Sequence, residues 1–131
     1  MASLFIAACA HSPAVNDSSI ADIMTGAIVP ASDAIWQAGE PETDAQWQTV
    51  VDATNVIIDS AQLIKLGGAG PNDNTWAADP DWQAHIDVVL EASAAVLAAT
   101  EDKDSDALFM AGNDLYSPCE ACHKQFNPAV Q

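Results

Sequence analysis

The sequence predicts an all-α domain, four amphipathic helices assembled as a four-helix bundle, on three observations. Four stretches of roughly 20 residues carry apolar side chains at spacings of three and four, the repeat of a helix with one buried face. No sustained alternation of apolar and polar residues, the mark of a half-buried strand, occurs anywhere between them. Clusters of Gly, Pro, Asn and Asp separate the stretches and break regular structure. Helices of that length span about 30 Å, and four of them bury their stripes most economically against one another. The 131 residues, half of them apolar, suit one domain with one core.

The first helix is expected from about Ser18 to Gln37, with Ile20, Met24, Ala27, Ile28, Ala31 and Ile35 as its stripe and Asp17 or Ser18 as its cap. Pro30 should kink it, because proline removes a backbone donor and crowds the preceding turn. The second starts after Pro41 with Thr43 as cap; Trp47, Val50, Val51, Thr54, Ile58, Ala61 and Ile64 mark its face, and Gly67-Gly68 ends it. Residues 67–81 read as a long loop, of the kind that is often functional, with Trp76 packing back on the domain. The third helix runs from about Asp81 to Thr100, capped by Asp79 or Asp81, with Trp82, Ile86, Val89, Leu90, Ser93, Val96 and Leu97 inward. The fourth runs from about Lys103 to Phe126 on Leu108, Ala111, Leu115, Cys119, Cys122 and Phe126, after an acidic cap at residues 101–106. Pro118 either kinks this helix or opens a fresh one capped by Ser117.

The charge is one-sided. Nineteen acidic residues face three lysines and no arginine, for a formal net charge of −16. A phosphate backbone needs a basic face, so nucleic acid is not an expected partner, and an anionic membrane surface would repel the chain. A basic protein would be attracted and steered in, although acid of this kind also serves solubility alone. No segment approaches the ~20 consecutive apolar residues that span a bilayer. Residues 1–19 read as a leader and tether: the apolar run at 4–8 ends in small residues before Cys9, like the end of an export signal, though no basic segment precedes it. The stretch Ile6-Ala7-Ala8-Cys9 has lipobox form, which makes Cys9 a lipidation candidate; the alternative is simple cleavage after Ala10.

The chemistry concentrates in Cys119-Glu120-Ala121-Cys122-His123. A redox dithiol of the thioredoxin kind needs a strand–helix–strand setting, and this chain offers no strands. A structural zinc site needs four ligands, and the other candidates are Cys9 and His11 in the leader and an isolated His85. Covalent haem fits the spacing. Thiols at i and i+3 share one side of a helix and can join the two vinyl groups of one haem, with the adjacent histidine beneath the iron. Cys119 and Cys122 also lie on the apolar stripe, as attachment to a flat apolar ring in a core requires.

With this motif on its last helix the sequence resembles the class II c-type cytochromes, the cytochrome c′ family. The likeness extends to Pro30-Ala31-Ser32-Asp33-Ala34-Ile35-Trp36, Thr43-Asp44-Ala45-Gln46-Trp47 and Asp106-Ala107-Leu108-Phe109-Met110-Ala111-Gly112, which are similar to successive landmarks of a cytochrome c′-like branch. It covers residues 20–128. The resemblance implies one haem c near the C-terminal helix, thioethers at Cys119 and Cys122, and His123 as proximal iron ligand. It also implies Met24 near the distal position and Phe126 as the aromatic residue after the histidine. It implies haem attachment outside the cytoplasm and homodimers through the first two helices. Many members carry an arginine four residues after the histidine; Asn127 stands there in this chain, so proximal gas chemistry does not carry over from them.

Met24 separates two functions. As a sulfur ligand it closes the iron and raises its potential, as suits electron transfer; as a core gap-filler it leaves the iron open to NO or CO. His85 reads as a surface or partly packed histidine, with iron ligation as its alternative, and the tryptophans as core and loop anchors. The expectation is an exported mono-haem c-type cytochrome, periplasmic or anchored on the periplasmic side. It would transfer one electron to redox partners with a basic docking surface and would not itself be an enzyme. The alternatives are a five-coordinate gas-binding haem protein and a zinc-stabilised or purely structural helical bundle.

Overall fold

A computed structural model describes residues 16–129. All secondary structure among them is helical. Short helix α1 (Ile20–Ile23) runs through a π turn (Met24–Ile28) into α2 (Val29–Trp36). Then follow α3 (Asp44–Lys65), the short α4 (Asp73–Ala77), α5 (Pro80–Glu101) and α6 (Ser105–Phe126). Helix α6 packs most extensively on α5, α5 on α3, and α3 on α2, while α2 also touches α6. The core sits between them, with Val50, Ile57, Ile64, Val96 and Leu115 at most 1% exposed.

The caps follow the local chemistry. Thr43 forms a full capping box with Gln46: its hydroxyl accepts the Gln46 N–H and the Gln46 side chain accepts the Thr43 N–H. Asp79 caps α5 with Pro80 in its first turn, and Asp104 caps α6 by accepting the Ala107 N–H at 3.0 Å. Ser19, rather than Asp17 or Ser18, caps α1. Gly67, at φ +107°, ends α3 in a conformation that an L side chain rarely adopts.

Pro30 acts through the π turn before it. Its missing N–H and its ring would disrupt an α-helical register, and a wider turn with one extra residue relieves that conflict. The turn also resets the buried stripe. Ile20 and Ile23 are buried, then Ile28, Ala31 and Ile35, so the step from Ile23 to Ile28 is five residues instead of four. Ala27 is half-buried in consequence. In α3 the buried position is Ile57, 1% exposed, with Ile58 only half-buried, because Ile57 continues the row of Val50, Ala53 and Thr54. Helix α6 continues through Pro118 without a new start at Ser117. The ring of Pro118 is buried, and its packing within α6's inward face offsets the lost backbone bond.

The long loop at 67–81 contains α4 and a buried anchor that the sequence reading missed. Asp73, 3% exposed, accepts the N–H of Ile20 and the N–H of Gly70, each at 2.8 Å. Its carboxylate therefore sits on the N-terminus of α1, where the helix dipole favours negative charge. The Ala69 N–H also donates to the Ser18 carbonyl at 3.0 Å. A Cβ at Gly70 would come within 2.6 Å of the Asp73 carboxylate, so glycine is needed for the approach. Gln83 completes the loop's closure by donating to the carbonyls of Lys65 and Ala77.

Asp73→Ala leaves two backbone donors without their carboxylate, one of them in a buried bond. It is expected to cost about 2 kcal/mol of stability, read from urea unfolding; Asp73→Asn, which keeps one acceptor, should cost less. A loss within experimental scatter for Asp73→Ala would show that water replaces the anchor.

Candidate functional site

Four residues singled out from the sequence meet at one cavity. Met24, Cys119, Cys122 and His123 all line a space of about 280 Å³ that is partly open to solvent. Its other walls come from every long helical segment: Ile28 and Trp36 on the first run, Ala61 and Ile64 on α3, Ile86 and Val89 on α5, and Tyr116 on α6. The lining is dominated by aliphatic and aromatic side chains, with Ser32, Asp33 and Glu120 as its other polar members. The Ser32 hydroxyl is spent on the Ile28 carbonyl at 2.8 Å, so it adds little polarity to the wall.

Helix α6 carries the donor set. Leu108, Ala111 and Leu115 bury its inner face, and the same face reaches Cys122, 6% exposed, and half-buried Cys119. Both cysteines are free thiols. Burial pushes the Cys122 thiol up to about 11, with the neighbouring Cys119 adding to the rise. Burial likewise raises Cys119. Reactive redox cysteines are instead held low by a positive environment, so these thiols are of the opposite kind. Among the described residues no group of three or more His, Cys, Asp or Glu side chains gathers as a metal site. Two thiols one helical turn apart and an imidazole, on a cavity lined mainly by apolar residues of four helical segments, fit a covalently held haem.

Phe126 lies elsewhere. It is not on the cavity wall but packs edge-on against Trp82, with ring centroids 5.1 Å apart, and against Trp76 at 6.3 Å. Trp76 in turn stacks on Trp82 at 5.7 Å, so the loop tryptophan does pack back on the domain. At the end of α6, Phe126 packs toward Trp82 on α5 and Trp76 on α4, which offer the apolar surface there. His85 joins this cluster, 6.1 Å from the Phe126 ring, and bonds Gln125 at 2.9 Å; Gln125 donates to Asp81 at 2.9 Å. His85 thus lies away from the cavity wall, and with Phe126 it fastens the last turn of α6, just beyond His123, to α5. Cys9 and His11 lie outside the described residues.

Two wall residues escaped the sequence reading. Trp36 falls off the stripe defined by Ile35 and is 42% exposed, yet it lines the cavity and donates its Nε1–H to the Gly112 carbonyl at 2.9 Å. Tyr116 stands edge-on to it at 5.9 Å. Its position three residues before Cys119 is the signal that could have found it, since i and i+3 share a helix face. No helix among the described residues is long and apolar enough to cross a membrane. No family model, curated protein or solved structure matches this chain.

Thiolate is the reactive form, and burial opposes it, so alkylation of native Cys122 in the haem-free protein should accelerate only as pH climbs toward about 11. In urea the same cysteine should react near the ordinary thiol value of about 8.5. Mass spectrometry of iodoacetamide-treated protein across pH separates the two; coincident native and unfolded profiles would contradict the buried assignment.

Proposed function

We propose that this chain is an exported mono-haem c-type cytochrome of the class II, cytochrome c′-like kind, a four-helix bundle that carries single electrons. The observation that carries the reading is the convergence of Met24, Cys119, Cys122 and His123 on one apolar cavity. Met24 is 95 residues away from Cys119 in sequence (119 − 24), and their meeting was not required by the motif itself. The closed cycle of contacts α2–α3–α5–α6 supports the bundle. Residues 20–128 would form it, behind a leader and tether at 1–19 that take the protein to the periplasm or anchor it there through Cys9.

Cys119 and Cys122 would hold the haem by two thioethers, and His123 would hold its iron on the proximal side. A bound haem supplies a reversible one-electron couple. The chain's own residues do the rest. Ile28, Ile64, Ile86 and Val89 give the cavity an apolar wall that would lower the dielectric around a bound ring. Met24 offers a thioether from the first helical run, a soft donor that favours the reduced state and raises the potential. The Phe126–Trp82 contact and the His85–Gln125–Asp81 chain restrain the turn that follows His123. The net charge of −16 favours a basic redox partner. Homodimers are part of the same proposal, by likeness to the family.

The test is the visible spectrum of protein matured with haem, oxidised and reduced, with and without CO, for the native chain and Met24→Ala. An electron carrier gives a low-spin spectrum whose methionine–iron band disappears in the variant, with a fall in reduction potential. A high-spin spectrum that binds CO readily and ignores the substitution would remove Met24 as a ligand and identify the protein as a gas binder.

A further inference from the structure

We propose that the exposed aromatic face shared by α2 and α6 is the docking surface for a basic protein partner. The partner's redox role rests on the electron-carrier reading above; the surface itself does not. Trp36, Phe109 and Tyr116 are 42%, 68% and 54% exposed, a concentration of large aromatic area rarely left to water without use. They wall a shallow groove of about 230 Å³, floored by Leu108 and Gly112. Trp36 and Tyr116 also line the cavity that holds the cysteines, so the groove and the proposed haem site share a wall. A partner seated in the groove would lie against that wall.

The face has the composition of a protein interface. Aromatic anchors dominate binding energy, and charged rims set encounter and register. On α6, Asp106, Phe109, Asn113, Tyr116 and Glu120 follow at steps of three and four and form one ridge. On α2, Asp33 and Trp36 repeat the pairing of acid with aromatic. Asp33 and Asp106 make no ion pair among the described residues, and Glu120 pairs with Lys124. The other two lysines are engaged elsewhere, Lys65 with Asp87 and Lys103 with Asp44.

Charge decides the occupant. On this face a second copy of the chain would set acid ridge against acid ridge, Asp33, Asp106 and Glu120 of one against those of the other. A protein with lysines around an apolar centre would complement both parts of the face.

The test uses the haem-matured chain and a lysine-rich c-type cytochrome as probe, with binding followed by calorimetry at low and high salt. Haem content is read separately from the absorption spectrum. Phe109→Ser and Asp106→Lys should each weaken binding about tenfold, while Leu66→Ser, at an exposed apolar residue capping the C-terminus of α3, should leave it unchanged. High salt should weaken the native complex most and the Asp106→Lys complex least. Equal affinity for all variants, or no saturable binding at low salt, would overturn the assignment. So would a concentration-dependent dimer, seen by sedimentation, that Phe109→Ser abolishes, since the face would then belong to a second copy. A chain that takes up no haem under a competent maturation system yet still binds the probe would support the surface while sinking the electron-carrier reading, which keeps the two failures apart.

Discussion

Burial of one face of α6 constrains the rest of the molecule. Leu108, Ala111, Leu115 and Cys122 occupy a single inward stripe, and α6 is held to α5 along it. Once that stripe is fixed, the rotation of α6 is fixed, and the direction of Cys119 and His123 follows from helical geometry alone. A side chain cannot be turned away from the cavity without pulling the core residues one turn above it out of place. The donor set therefore inherits its order from core packing, and the interior supplies the rigidity that a loop would lack.

The opposite requirement falls on the first helical run. Met24 has to arrive at the same cavity from a segment that is short, contains a proline and is broken by a π turn. Two devices hold it. The five-residue step from Ile23 to Ile28 accommodates Pro30 while keeping both isoleucines in the core, and Met24 belongs to that turn. Asp73 then reaches from the loop after α3 and fixes the start of α1 through the Ile20 N–H. The buried carboxylate thus supports, from a distance, the residue proposed to decide between electron transfer and gas binding. Function and fold meet in the same few contacts: a backbone bond at residue 20 bears on what sits beside residue 119.

Much of this was legible in the sequence. The helical spacing showed which segments are helices, Thr43, Asp79 and the Gly67 stop marked their ends, and Cys119-x-x-Cys122-His123 marked residues that the fold brings to one cavity. What was not legible depended on tertiary packing. Ile57 and Ile58 are equally apolar, and only the neighbouring helices select Ile57 for the core. Pro118 reads as either a kink or a fresh start capped by Ser117, and the fold excludes the fresh start, with α6 running on through its buried ring. Phe126 shares a stripe with the cysteines, yet Trp76 and Trp82 draw it into a separate cluster. Asp73 looks like one more loop acid until the fold brings the start of α1 beside it. Trp36 sits next to a core isoleucine and gains its place on the cavity wall from α6 across the groove.

The central claim is that the α6 thiols carry a haem, and the mass of the protein tests it most directly. The chain is expressed with a c-type maturation system, unfolded, and weighed intact and after digestion. A covalently loaded chain gains the mass of one haem that survives denaturation. That mass maps to the peptide containing Cys119 and Cys122 and is lost when both are replaced by serine. A full-length chain with two free thiols and no added mass, produced where a control cytochrome is matured normally, would contradict the proposal at its root.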